Sequence, residues 1–266
     1  MAGLELPLLT LVLLVCAAFA AGLVDSIVGG GGLIQLPALL LGLPADTAVA
    51  TVAGTNKVPS SLGTGMAAAT YLRRVTVGWP ALVPLVAFSA LGSGIGAQLT
   101  HLLRRQDFLP LVLFAVVAVG WFTWRRPHLG LAADVRHAGA AAHVRHAGIG
   151  LGVGLWDGFV GPGTGTFFLI ALVSLLGYEF LQATTLAKLA NLTTNLAAIG
   201  VFASTGNVLW GLALAMGAAN LAGGFLGART ALRRGNAFIR RVFLAMVVVL
   251  GARLAWEWVA SWSQVG

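Results

Sequence analysis

Charge is scarce in this sequence. Only 9% of its 266 residues are Asp, Glu, Lys or Arg, against about 25% in a soluble domain that must clothe its surface for water. That shortage excludes a water-solvated globular surface, so lipid must solvate most of the outside. Lysine is scarcer still, with Lys57 and Lys188 the two in the chain. A single cysteine, Cys16, means that no intrachain disulfide can form and that cysteine usage is silent about compartment. No Lys or Arg precedes the first apolar stretch, and Glu5 sits where the basic region of a signal peptide would be. Although Ala18-Phe19-Ala20 resembles a cleavage site, the stretch therefore reads as a first transmembrane helix. The net charge of +8 does not point to nucleic acid, because its distribution follows membrane topology.

What the chain does have is apolar length. Hydrophobic residues make up 58% and the mean hydropathy is +0.92. Stretches near the ~20 residues that span a bilayer fall at 4–24, 46–72, 79–101, 108–124, 182–204, 208–228 and 242–260. Shorter pieces at 33–42, 146–156 and 166–177 are too brief to cross comfortably alone. The 36 glycines suit close helix packing in lipid. The expected fold is an all-α integral membrane protein of about 8–10 transmembrane segments, some of them broken at glycine.

The sequence also repeats itself. Ala21 to Gly32 can be laid over Gly154 to Gly165, which places Asp25 on Asp157 and Gly29 on Gly161. Val77-Gly78-Trp79 then matches Val208-Leu209-Trp210, and Gly92-x-x-x-Gly96 matches Gly223-x-x-x-Gly227. Ordered matches at nearly constant offset, 132 and then 131 residues, are the signature of duplication. Arginine placement orients the halves. If they are inverted, Arg73, Arg74, Arg125, Arg126, Arg136, Arg145 and the five arginines of a loop at 229–241 share one face. The positive-inside bias makes that face cytoplasmic, whereas a parallel repeat would leave no bias. The expected organisation is a first repeat at 1–124, a cytoplasmic linker at 125–145 and an inverted second repeat at 146–266, with five crossings in each. Inverted repeats with interrupted helices point to a secondary transporter, and irregular backbone at membrane depth is tolerated only where it is buried or lines a wet cavity.

The candidate site follows from intramembrane polarity. Lys57 and Lys188 lie 32 and 31 residues after Asp25 and Asp157, flanked by Thr55 and Asn56 in one half and by Asn191, Thr194 and Asn195 in the other. An ionisable group in a span costs ~2.5 kcal/mol or more, so it has a partner or a purpose. Two readings stand. The lysines act as cationic arms for an anion, or they neutralise Asp25 and Asp157 and pin the halves together. The substrate-binding set comprises Lys57, Lys188, Asn56, Asn191 and Asn195, with the helix N-termini opening at Gly31, Gly32 and Gly163, whose N–H groups favour anions. Thr164 and Thr166 add hydroxyl donors. Asp25 and Asp157 either cap the helix at the Gly break or couple transport to protons.

Other features read as structural. Gly29–Gly32 lacks the Gly-Lys-Ser/Thr of a phosphate loop. Trp79 and Trp210 read as interfacial anchors. The paired Gly-x-x-x-Gly motifs mark helix packing, and Arg253 with Glu257 forms an i, i+4 pair. The linker histidines His137, His143 and His146 lack the carboxylates or cysteines of a metal cluster.

The run from Ala21 through Gly29-Gly-Gly-Gly32 to Gly42, followed by Ala50-Thr51 and Thr55-Asn56-Lys57, resembles the first-repeat signature of the TauE/SafE sulfite-exporter family. Asp157 through Gly161-Pro-Gly-Thr-Gly165 to Phe168, then Ala183-Thr184, Ala187-Lys188-Leu-Ala-Asn191 and Gly223 to Arg229, resembles its second. The resemblance implies a permease for sulfite, sulfonates or other small anions in the bacterial inner membrane. The first half has Gly29–Gly32 in place of Gly-Pro-Gly, so the two half-sites need not contribute equally. The expected partners are a small anionic substrate and the bilayer, with no nucleic acid and no cofactor; a homo-oligomer is left open. The alternatives are a passive anion channel or a permease for a small non-sulfur carboxylate. An intramembrane enzyme is disfavoured, since neither His-Glu-x-x-His nor Gly-x-Ser-x-Gly occurs.

Overall fold

A computed structural model of the protein describes residues 6–104, 111 and 140–262, with side chains given only in part beyond residue 239. The described residues form eight α-helices and no strand: α1 (Leu8–Val28), α2 (Gly32–Gly42), α3 (Val49–Leu72), α4 (Trp79–Leu99), α5 (Ala140–Phe159), α6 (Thr164–Leu176), α7 (Phe180–Ser204) and α8 (Trp210–Trp262). A 3₁₀ turn, Thr100–Leu102, extends α4.

Four segments among the described residues are long and apolar enough to cross a membrane: Leu8–Val28, Trp79–Leu102, Phe180–Ser204 and Trp210–Ile239. With 11 and 13 residues, α2 and α6 are about 16–20 Å long at 1.5 Å per residue, roughly half of the ~30 Å hydrocarbon core. The helix α3 has spanning length but buries Thr55, Asn56, Lys57, Ser61 and Thr64. Its polarity is hidden inside the protein, where membrane helices keep ionisable groups.

Both breaks fall where glycine allows the chain to turn. Gly29 closes α1 at φ 84°, and Gly161 and Gly163 adopt φ 97° and 80° between α5 and α6. A side chain there would enter the left-handed region at a cost of roughly 1–2 kcal/mol. A Cβ on Gly29 would also overlap the backbone of Gly165 and Thr166. The two breaks thus touch, backbone on backbone.

Packing between the segments is reciprocal. The long helix α8 lies on α1 and α3, while α4 lies on α5 and α7, and α3 packs against α7. The Gly-x-x-x-Gly motifs make close approaches. Gly92 and Gly96 face the backbone of Leu151 to Phe159, and Gly223 and Gly227 face that of Phe19 and Leu23, as small-residue packing requires. Trp79 and Trp210 are the first residues of α4 and α8 and are exposed, as interfacial anchors would be.

Two expectations change. The short piece at 146–156 is part of the 20-residue α5, which begins at Ala140 and takes in residues 140–145 of the expected linker. The arginine-rich loop at 229–241 is helical on both sides of Gly235, whose φ of 68° and ψ of −169° break the run. In both places charged residues were read as the end of a helix, whereas an amphipathic or water-facing turn can continue one beyond the apolar stretch. The apolar stretch at 108–124, apart from Leu111, and His137 lie outside the described residues, as do the side chains of Arg253 and Glu257.

Candidate functional site

The ends of α1 and α5 bring their aspartates to the molecular interior, and the polar middles of α3 and α7 bring the lysines to meet them. The pairing crosses over. Lys57 Nζ donates to Asp157 Oδ2 at 2.6 Å and to the Asp157 carbonyl at 2.7 Å. Lys188 Nζ donates to Asp25 Oδ2 at 2.8 Å and also to the Asp25 carbonyl. Each ammonium thus neutralises a carboxylate and occupies a carbonyl in the last turn of the same helix, where the macrodipole favours a cation. Lys57, Lys188 and Asp157 are at most 3% exposed, Asp25 14%. Removal of either partner from such a pair is costly because it leaves a buried charge uncompensated.

The breaks and the ion pairs enclose a small polar cavity. It is lined by Asp25, Gly29, Gly31, Gly32, Asn56, Lys57, Ser60, Asp157, Gly161, Gly163, Thr164, Gly165, Asn191, Asn195 and Asn220. It is small, with room for one or two waters. Of the residues expected from sequence, Asn56, Lys57, Asn191, Asn195, Gly31, Gly32, Gly163 and Thr164 line it together with both aspartates. Lys188 reaches it only through Asp25. Thr166 lies to one side, donating to the Val28 carbonyl at 3.2 Å, and Thr164 donates to the Gly161 carbonyl at 2.7 Å.

Asp25 also accepts from Thr64 Oγ1 at 3.1 Å and from the Gly31 N–H at 3.3 Å. A backbone bond across the Gly break is close to the capping role weighed for it, although it falls at the end of α1.

Sequence reasoning missed two buried amides. Asn220 of α8 lines the cavity, and its Nδ2 donates to Gln35 Oε1 at 2.6 Å. Gln35 is fully buried and donates to Asn56 Oδ1 at 2.7 Å and to the Asn56 carbonyl at 3.1 Å. Their one signal was polarity inside apolar helices, Leu33-Ile-Gln35-Leu and Ala218-Ala-Asn220-Leu. Of the linker histidines, His146 is buried, with Nδ1 at 2.7 Å from the Ala142 carbonyl and Nε2 at 3.1 Å from Tyr178 Oη. No group of three or more metal-ligating side chains occurs among the described residues.

Known proteins resemble this chain along nearly its whole length. Residues 14–254 match the family model described as Sulfite exporter TauE/SafE. A probable membrane transporter protein from Sinorhizobium sp. is 34% identical over 92% of each chain. Another from Haemophilus influenzae is 32% identical over 93% of this chain and 95% of its own. A third, from Escherichia coli, is 32% identical over 90% and 87% respectively. With a match over residues 14–254, the chain belongs to the TauE/SafE sulfite-exporter family of membrane proteins.

Proposed function

We propose that the protein is a secondary transporter carrying a small anion, sulfite, an organosulfonate or a related sulfur-containing anion, across the bacterial inner membrane. The observation that carries this reading is the polar cavity at the contact of two broken helices, closed by two crossed Lys–Asp pairs. Half-length helices that begin at a buried polar site are the recurring substrate-binding device of such transporters. In the same reading the halves are inverted repeats with the arginine-rich face cytoplasmic. Reciprocal packing of α8 on α1 and of α4 on α5 supports it, as does the arginine distribution.

Charge arithmetic adds a coupling mechanism. Two lysines and two aspartates sum to zero when all are ionised, so an arriving anion leaves the cavity with uncompensated negative charge, costly in a low-dielectric interior. A proton on one aspartate restores neutrality and releases its lysine to bind the anion. The narrow cavity is then the closed form, opened as the anion and the proton arrive together.

Flux measured in proteoliposomes with sulfite and ethanesulfonate tests the proposal. Uptake should saturate, respond to a proton gradient and fall strongly in Lys57→Ala and in Lys188→Ala. Wild-type flux in both variants would remove the lysines from the site. Non-saturating flux indifferent to the gradient would make the protein a passive channel.

A further inference from the structure

The lysines are occupied by aspartates, which leaves open what greets the anion first. The buried amides answer this through the direction of their hydrogen bonds. A carboxamide has one face that donates and one that accepts, and neighbouring backbone groups decide which way it turns. Gln35 Nε2 lies 3.1 Å from the Asn56 carbonyl, an atom that can only accept. The nitrogen of Gln35 must therefore face Asn56, and its oxygen must face away, where it takes the Asn220 Nδ2 hydrogen at 2.6 Å. The same nitrogen claims Asn56 Oδ1 at 2.7 Å. One backbone carbonyl thus sets the direction of all three amides, and the Asn56 NH₂ is left over.

The opposite wall repeats this logic with different residues. Asn195 Nδ2 donates to the Asn191 carbonyl at 2.8 Å and to Asn191 Oδ1 at 3.3 Å. Thr194 Oγ1 donates to the same carbonyl at 2.9 Å and approaches the same Oδ1 at 3.4 Å. The Asn191 oxygen is thereby occupied and its NH₂ is left over. Asn56 and Asn191 are 5% and 6% exposed and both line the cavity. Neither NH₂ has a partner among the described residues, and neither is among the buried polar atoms sealed off without one, which are Ser89 Oγ and Thr184 Oγ1. Their open side is the cavity.

We propose that Asn56 and Asn191 are the neutral donors that bind the anion's oxygens, and that Gln35 is the positioning residue that keeps the Asn56 amide turned nitrogen-inward. The ligand is an anion whose exposed face only accepts hydrogen bonds, as a sulfonate or a halide does. This rests on the anion-transport reading and assigns the atoms that make contact. Asn220 holds Gln35 from behind, and Gly22 and Gly63 lack side chains where Asn220 Oδ1 sits.

Transport kinetics with ethanesulfonate, which keeps its charge across the working pH range, test the assignment. Asn56→Ala should raise KM about tenfold, the loss of one hydrogen bond to a charged group, with kcat little changed. Gln35→Met should raise KM by a similar factor, and Gln35→Met with Asn56→Ala should be no worse than Asn56→Ala alone. Such non-additivity marks a residue acting through another. Additive KM effects, or a loss confined to kcat and melting temperature, overturn the positioning role. If Gln35→Met does not fold, Gln35→Glu replaces it. Protonated, its single O–H donates to Asn56 Oδ1 and keeps that amide turned; ionised, it only accepts and draws the Asn56 NH₂ away from the cavity. Its KM relative to wild type should climb with pH, and a flat ratio overturns the proposal. Crystals soaked in bromide separate this idea from the transport reading. Anomalous density within hydrogen-bond reach of Asn56 Nδ2 and Asn191 Nδ2 is expected whatever the physiological cargo, and its absence there removes the donors. Bromide bound there in a protein without anion flux would sink the transport reading alone.

Discussion

The two half-sites use the same residue types in the same order yet hold their aspartates differently. Asp25 receives three donors: the Lys188 ammonium, the Thr64 hydroxyl and the Gly31 N–H. Asp157, among the described residues, receives the Lys57 ammonium alone. Position by position, Asn195 stands where Thr64 does in the other half, and it bonds Asn191 instead of the aspartate. No bond from Gly163 to Asp157 matches the one from Gly31 to Asp25. The lesson is an asymmetry of restraint: Asp25 is held from three sides, Asp157 by its lysine alone.

The largest effect is expected at Gly29, which closes the first helix of the first half, and its counterpart Gly161 should be much more tolerant. Gly29→Ala collides with the opposite backbone as well as entering the left-handed region, and should yield little folded protein by size-exclusion chromatography. Gly161→Ala meets only ordinary contacts, the Asp157 carbonyl at 3.4 Å and Lys57 Nζ at 3.5 Å. Its cost should stay near the backbone strain of roughly 1–2 kcal/mol, so folded protein should be recovered with a lowered melting temperature.

Next come the ion pairs. Lys57→Ala leaves Asp157 with no donor among the described residues and should cost about 3–5 kcal/mol in detergent unfolding. Lys188→Ala leaves Asp25 two donors and should cost less. Equal losses would show that the donor count does not set the energetics. Under the proposed coupling, the aspartate held by its lysine alone is the freer to release it, so Asp157→Asn should abolish the response of anion flux to a proton gradient, while Asp25→Asn should retain it. The reverse result places the coupling at Asp25. The smallest effect is expected from Thr64→Val, which removes one of three donors to Asp25 and should lower stability by ~1 kcal/mol. A loss larger than that of Lys188→Ala would mean that Asp25 depends on the hydroxyl more than on the lysine.

Much of this was legible before any coordinates. Long apolar runs, the paired breaks and lysines isolated in apolar sequence follow from the cost of charge in lipid, which leaves few places for such groups. Helix starts at Trp79 and Trp210 and packing at Gly92, Gly96, Gly223 and Gly227 followed from local chemistry. Which lysine meets which aspartate was not legible, because both assignments neutralise the charges equally and only the packing of α3 against the far half decides it. Gln35 was lost for a different reason. It is a single polar residue in Leu33-Ile-Gln35-Leu36-Pro37, and its role lies in the direction of a hydrogen bond, which spacing does not encode. The early start of α5 and the helical stretch around Gly235 were hidden because hydropathy reports where lipid ends, while a helix can run on into water.

The contact between Gly29 and Gly165 has a genetic consequence. When a new side chain clashes with another side chain, trimming the second can rescue the first. Here the obstacle to a Cβ on Gly29 is main chain, Gly165 and the amide nitrogen of Thr166, and the obstacle to one on Gly165 is the main chain of Gly29. Nothing on the far side can be shortened. A screen for second-site suppressors of Gly29→Ala should return reversion to glycine and no compensating substitution at position 165 or 166, so the two breaks are locked together in descent as they are in space.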